Sequence, residues 1–163
     1  YEYVFLSRPR RFGKSLFLDT LHNIFEGKKE LFKGLYIYDR YDFEAYPVIK
    51  LSFSTITNTD ELFLEIRAML EENMRRLDVL CESEDYAICF EELIQKTHKK
   101  YNKPVVILVD EYDKAILDVI AKKQTALRHR DIIRRLYSKI KANDTHIRFA
   151  FLTGISKFSK ASI

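Results

Sequence analysis

The run Val105-Val106-Ile107-Leu108-Val109 is apolar at every position and ends abruptly at Asp110-Glu111. A half-exposed strand alternates apolar and polar side chains, so a short β-branched run without alternation reads as a strand buried on both faces. Such strands belong to parallel sheets, whose neighbours are joined by crossovers that usually contain a helix. The rest of the chain supplies the crossovers. Tyr3 to Ser7 reads as a short strand, and Lys14 to Phe25 as a helix with Leu16, Phe17, Leu21, Ile24 and Phe25 on one face, stopped by Gly27. Val48 to Phe53 follows Pro47 as a second strand. Asn58 and Glu61 resemble a capping box opening a helix towards Leu80, with Leu62, Ile66, Met69, Leu70 and Leu77 facing inward. A helix from about Tyr86 to Tyr101 leads into the buried strand. Helical segments around Lys114 to Ala121 and Arg130 to Lys141 then precede a last strand, Arg148 to Leu152, closed by Thr153-Gly154. The predicted class is α/β, a mostly parallel sheet built by right-handed crossovers.

In open parallel sheets, ligands bind outside the carboxyl ends of the strands. Two segments that fall there carry chemistry. The first is Arg8-Pro9-Arg10-Arg11-Phe12-Gly13-Lys14-Ser15, at a strand-to-helix turn. It fits the phosphate-binding pattern G-x-x-x-x-G-K-[ST] at its last three positions, with Arg8 where the first glycine belongs. In such a turn, backbone N–H groups at the positive end of a helix surround phosphate oxygens. Gly13 permits close approach, Lys14 adds a mobile positive charge, and Ser15 offers a small oxygen ligand of the kind Mg²⁺ prefers. Residues Arg10, Arg11, Phe12, Gly13, Lys14, Ser15 and Leu16 are therefore the expected nucleotide-binding segment. The second segment is Asp110-Glu111. Asp110 is expected to share the metal with Ser15, and Glu111 to orient or deprotonate a water, so that together with Lys14 they cover the roles phosphoryl transfer requires. Thr153, at the end of the last strand, is either a γ-phosphate sensor or an ordinary strand-terminal threonine.

With 163 residues, 47% of them apolar, the chain can build one ordinary core. Its longest apolar runs are far shorter than the roughly 18 residues of a membrane span, and no signal-peptide pattern opens it. The expectation is a cytoplasmic domain excised from a longer protein, spanning 1–163, since neither end resembles a linker. Cys81 and Cys89 lack metal-type spacing and are expected to be packing thiols rather than a zinc site or a disulfide.

The net charge of +4 is the remainder of two opposed patches. Residues 60 to 92 hold eleven carboxylates against three Lys or Arg, whereas 122 to 148 hold nine Lys or Arg against two acids. The basic segment contains Arg128, Arg130, Arg134 and Arg135. A solvated helix face is the favoured reading; contact with nucleic acid, with a neighbouring subunit, or an arginine finger are the alternatives.

Four stretches resemble the AAA-ATPase-like domain family: Ser7 to Ser15, Tyr46-Pro47-Val48-Ile49, Val109-Asp110-Glu111-Tyr112-Asp113-Lys114, and Thr153-Gly154-Ile155-Ser156-Lys157-Phe158-Ser159. The R-P-R-R-F-G-K-S form is that family's usual version of the phosphate-binding loop. The resemblance implies a P-loop NTPase, a three-layer sandwich of the additional-strand type related to archaeal and STAND-like ATPases, truncated here at its C-terminus. It implies ATP and Mg²⁺ as cofactors, Asp110 and Glu111 as a Walker B pair, and Thr153 as a sensor-like position. It further implies a tethered effector, often a PD-(D/E)XK nuclease domain, and leaves a homo-oligomer open. Two other functions stay in view: a nucleotide-sensing module that hydrolyses poorly, and a P-loop kinase, against which Glu111 argues. The guanine-recognition pattern N-K-x-D does not occur, and ATP itself is favoured by the resemblance alone.

Overall fold

The computed structural model describes residues 2–155; Tyr1 and residues 156–163, among them Ser156 to Ser159 of the last family-like stretch, lie outside the described residues. Four strands form one sheet: β1 (Glu2–Ser7), β2 (Val48–Ser52), β3 (Val105–Asp110) and β4 (Ile147–Gly154). Every pairing is parallel and the order across the sheet is β1-β4-β3-β2. The last strand in sequence therefore separates the first from the third. Connections run through α1 (Lys14–Phe25), α2 (Thr59–Leu77), α3 (Tyr86–Tyr101), α4 (Lys114–Leu117) and α5 (Lys123–Ala142).

Alternation along β3 divides the core into two layers. Val106 and Leu108 face Leu18 of α1, with Val48 and Phe151 beside them. Val105, Ile107 and Val109 face the opposite side, where residues of α2, α3 and α5 close over them. All six residues of β3 are buried. Each fully buried Val, Ile or Leu contributes about 1.5–3 kcal/mol relative to an exposed one, so β3 is the central stabilising element.

Helix boundaries follow local signals closely. Asn58 caps α2 by accepting the Glu61 N–H at 2.9 Å, while the Glu61 carboxylate accepts from Thr57, one residue before the cap. Asp85 caps α3 through the N–H groups of Ala87 and Ile88, both at 3.0 Å. Asp78 and Asn102, each with positive φ, terminate α2 and α3.

Four expectations are corrected. The α2 helix ends at Leu77, leaving Leu80 exposed. The segment expected to be helical to Ala121 is helical only over Lys114–Leu117, and α5 starts at Lys123, well before Arg130. On α1 the fully buried residue is Leu18, while Leu16 is 72% and Phe17 46% exposed; among the described residues α1 is the one helix on this face, so only a narrow stripe of it meets the sheet. Cys81 and Cys89 are joined in a disulfide rather than standing as free thiols, because the chain after α2 folds back over the first turn of α3 and brings their Cα atoms to 5.2 Å. Among the described residues no helix is long and apolar enough to cross a membrane.

Candidate functional site

The expected residues converge at the carboxyl ends of β1, β3 and β4. Leu6 and Ser7 of β1 lie beside Thr153 and Gly154 of β4, and Val109 of β3 beside Leu152. After Ser7 the chain turns through Arg8 to Phe12 into α1. The turn needs two left-handed residues, Arg11 at φ 64° and Gly13 at φ 74°. Gly13 is the N-cap of α1 and supplies no side-chain cap. The free N–H groups of the first helical turn are thus left to face outward from the loop, the arrangement that attracts an anion.

Lys14 is 6% exposed although charged. Its ammonium donates to the carbonyls of Arg8 at 2.7 Å and Pro9 at 2.9 Å, so it lies under the loop it belongs to. Ser15 Oγ donates to Asp110 Oδ2 at 2.5 Å, joining positions 95 residues apart. Asp110 is 7% exposed; its other oxygen, Oδ1, accepts from the buried Thr153 hydroxyl at 2.6 Å. Glu111 follows at φ 52°, a left-handed conformation that non-glycine residues seldom adopt. Its N–H donates to Thr153 Oγ1 at 3.2 Å. Arg10 and Glu111 line one small recess together with Asp113, Lys114, Leu117 and Ile155, so the loop and the acidic turn meet in space. Phe12 and Leu16 are the outlying members of the segment, both strongly exposed.

Two supporting residues were given no role from the sequence, although Asp113 lies in a family-like stretch. Asp113 is 1% exposed, and its Oδ2 accepts the Ile155 N–H at 3.1 Å. Tyr137 of α5 donates to the carbonyl of Tyr112 at 3.4 Å, and burial pushes its phenol well above the ordinary value, so it remains a donor. Gly154 is required by packing: a Cβ there would sit 2.3 Å from Cε1 of Tyr112.

The basic segment is spread along α5, on the sheet face opposite α1. Arg135 pairs with Asp85 at 2.6 Å and lies over the Tyr86 ring at 5.3 Å. Arg130 meets Asp131 at 3.5 Å. Arg128 lines a groove with Phe63, Tyr86 and Arg135, and Arg134 also has interactions of its own. Among the described residues, these contacts of Arg128, Arg130 and Arg135 lie away from the cluster around Asp110.

A buried lysine at a helix-opening loop, a hydroxyl meeting a strand-end carboxylate, and a second carboxylate beside it are thus gathered at the strand ends of an α/β domain. The chain belongs to the family described as Predicted AAA-ATPase, whose model matches residues 1–163. It is 46% identical over 164 residues to a protein of Azotobacter chroococcum mcd 1 described as uncharacterized and encoded in the vnfD 5′ region. That match takes in 99% of this chain but 32% of the relative, so the chain spans about a third of that relative's length. No solved structure matches.

Proposed function

We propose that this domain binds Mg-ATP and hydrolyses it, as the core of a P-loop ATPase of the additional-strand type that drives or gates a tethered effector. The observation that carries this reading is the 2.5 Å contact between Ser15 and Asp110. A hydroxyl and a carboxylate are an all-oxygen donor pair, and Mg²⁺ takes few protein ligands of this kind while keeping its waters. The position of β4 between β1 and β3 supports the same reading.

In this proposal the loop Arg10 to Leu16 presents its N–H groups to the phosphates, and Lys14 moves from the Arg8 and Pro9 carbonyls to the β- and γ-phosphate oxygens. Ser15 and Asp110 would hold Mg²⁺, which when bound neutralises charge developing on the phosphates. Glu111 orients the attacking water and accepts its proton. Arg10, which shares the recess of Glu111, adds positive charge beside it. Cytoplasmic location, a homo-oligomeric state and an effector domain are further parts of the proposal, and the segment with Arg128, Arg130, Arg134 and Arg135 is read as a solvated helix face, nucleic-acid contact being the alternative. The relative's greater length is compatible with an effector.

Calorimetric titration with ATP in moderate salt and millimolar Mg²⁺ tests the assignment. Lys14→Ala should remove most of the affinity, and unchanged binding in that variant would refute the phosphate-site reading.

A further inference from the structure

We infer that Thr153 is a positioning residue that holds Asp110 and Glu111 in place, and does not contact the nucleotide. The inference rests on the nucleotide-site reading above and replaces the phosphate-sensing role expected for this threonine. A threonine hydroxyl has one proton. Here that proton lies in a 2.6 Å bond to Asp110 Oδ1, and the side chain is fully buried. The Thr153 hydroxyl oxygen in turn accepts the Glu111 N–H at 3.2 Å, and the Thr153 carbonyl accepts the Tyr112 N–H at 2.9 Å. Three consecutive residues, Asp110 at the end of β3 and Glu111 and Tyr112 after it, are therefore fastened to one residue of β4.

The consequence for Asp110 is directional. One carboxylate oxygen is engaged by Thr153 from β4, and the other faces Ser15 of the phosphate loop at 2.5 Å. Hydrogen bonds from hydroxyls to a carboxylate are short and strong because the acceptor is charged. Thr153 thus fixes which oxygen is turned towards the loop. Glu111, in its left-handed conformation, has its N–H anchored by the same hydroxyl, so the direction in which its side chain leaves the turn depends on Thr153 as well. Partners that orient metal-binding carboxylates typically change metal affinity by about 10–100-fold when removed.

The test uses Thr153→Val, which keeps the shape and removes the hydroxyl, and Thr153→Ser, which keeps it. ATP and ADP are titrated by calorimetry over a series of Mg²⁺ concentrations. The valine variant should need about 10–100-fold more Mg²⁺ for half-maximal binding, the ATP to ADP affinity ratio at saturating Mg²⁺ should stay at the wild-type value, and serine should restore the Mg²⁺ midpoint. A selective loss of ATP over ADP with an unchanged midpoint would overturn the inference, since that is the signature of a γ-phosphate contact. Amide hydrogen exchange without nucleotide supplies a second readout: the Glu111 N–H should exchange faster in Thr153→Val, and equal rates would also overturn it. If the valine variant does not fold, Thr153→Cys, with a weaker donor, should shift the midpoint in the same direction by less, and no shift counts against the clasp. If wild type binds neither nucleotide at any Mg²⁺ concentration, the nucleotide reading fails and the Mg²⁺ role of Thr153 falls with it.

Discussion

Two regions at the rim of the sheet hold networks of polar side chains, and they use them differently. At the carboxyl end of the sheet, Ser15, Asp110 and Thr153 bond side chain to side chain. Along the outer edge of β2, side chains of α2 bond to backbone. Asn73 accepts the Lys50 N–H at 2.9 Å and donates to the Lys50 carbonyl at 2.8 Å, as a neighbouring strand would. Arg76 donates to the Val48 carbonyl, and Glu65 accepts the Ser54 N–H. The β2 edge is therefore closed by its own helix, a way of satisfying exposed strand groups that would otherwise recruit another chain. The Ser15–Asp110 bond joins two side chains and can be exchanged for a ligand's without stranding backbone, whereas side chains that complete a backbone ladder cannot leave without exposing it. The first region is suited to binding, the second to stability.

The largest expected effect is at the first region. Glu111→Gln keeps size and polarity, so it should lower ATP turnover by about 10²–10⁴-fold while leaving nucleotide affinity and thermal stability near wild type. Phosphate release and a melting curve on the same preparation check both halves; equal turnover would favour a nucleotide-sensing module over a hydrolase. Asn73→Ala should do the reverse. It leaves the Lys50 N–H and carbonyl without partners and should cost roughly 1–3 kcal/mol in denaturant unfolding, with ATP affinity unchanged. A variant that lost affinity in proportion to stability would erase the contrast between the two regions.

A smaller effect belongs to Asp85. It caps α3, and the hydrogen bond from Arg135 holds its carboxyl below the ordinary aspartate value. Asp85→Ala should cost about 1 kcal/mol, the usual worth of an N-cap. Because the folded pKa is depressed, this contribution is fully present above the unfolded value of about 3.9 and is lost as pH falls through the folded one. The wild-type and variant unfolding free energies should therefore converge only in acid, and a gap that stayed constant down to pH 2 would contradict the assignment. The smallest effect is expected for Arg128→Ala and Arg130→Ala. Exposed pairs contribute about 0–1 kcal/mol, so stability, turnover and salt-dependent DNA binding should all stay near wild type. A uniform loss of DNA affinity with a flatter salt dependence would instead mark a phosphate-contacting surface.

Elements whose signals are local were legible in the sequence. The bounds of α1 and α3 match Lys14 to Phe25 and Tyr86 to Tyr101, because caps and helical periodicity lie within the segment itself. The contiguous motifs Gly13-Lys14-Ser15 and Asp110-Glu111 named the two halves of the candidate site for the same reason. What escaped was set by distant partners. Leu18, rather than Leu16 or Phe17, became the buried residue of α1 because the helix meets the sheet along one narrow stripe. Asp113 gained its place from the Ile155 N–H, just past the end of β4. The disulfide depended on the path of the chain between α2 and α3.

By itself, then, the amino-acid order determined the α/β class, the bounds of α1 and α3 and the chemistry available at two strand ends. Only the tertiary structure decided that β4 lies between β1 and β3, and with it that Thr153 bonds to Asp110, 43 residues away. Strand order and side-chain bonds of this kind are chosen by packing and hydrogen bonding between segments far apart in the chain, which no local pattern encodes.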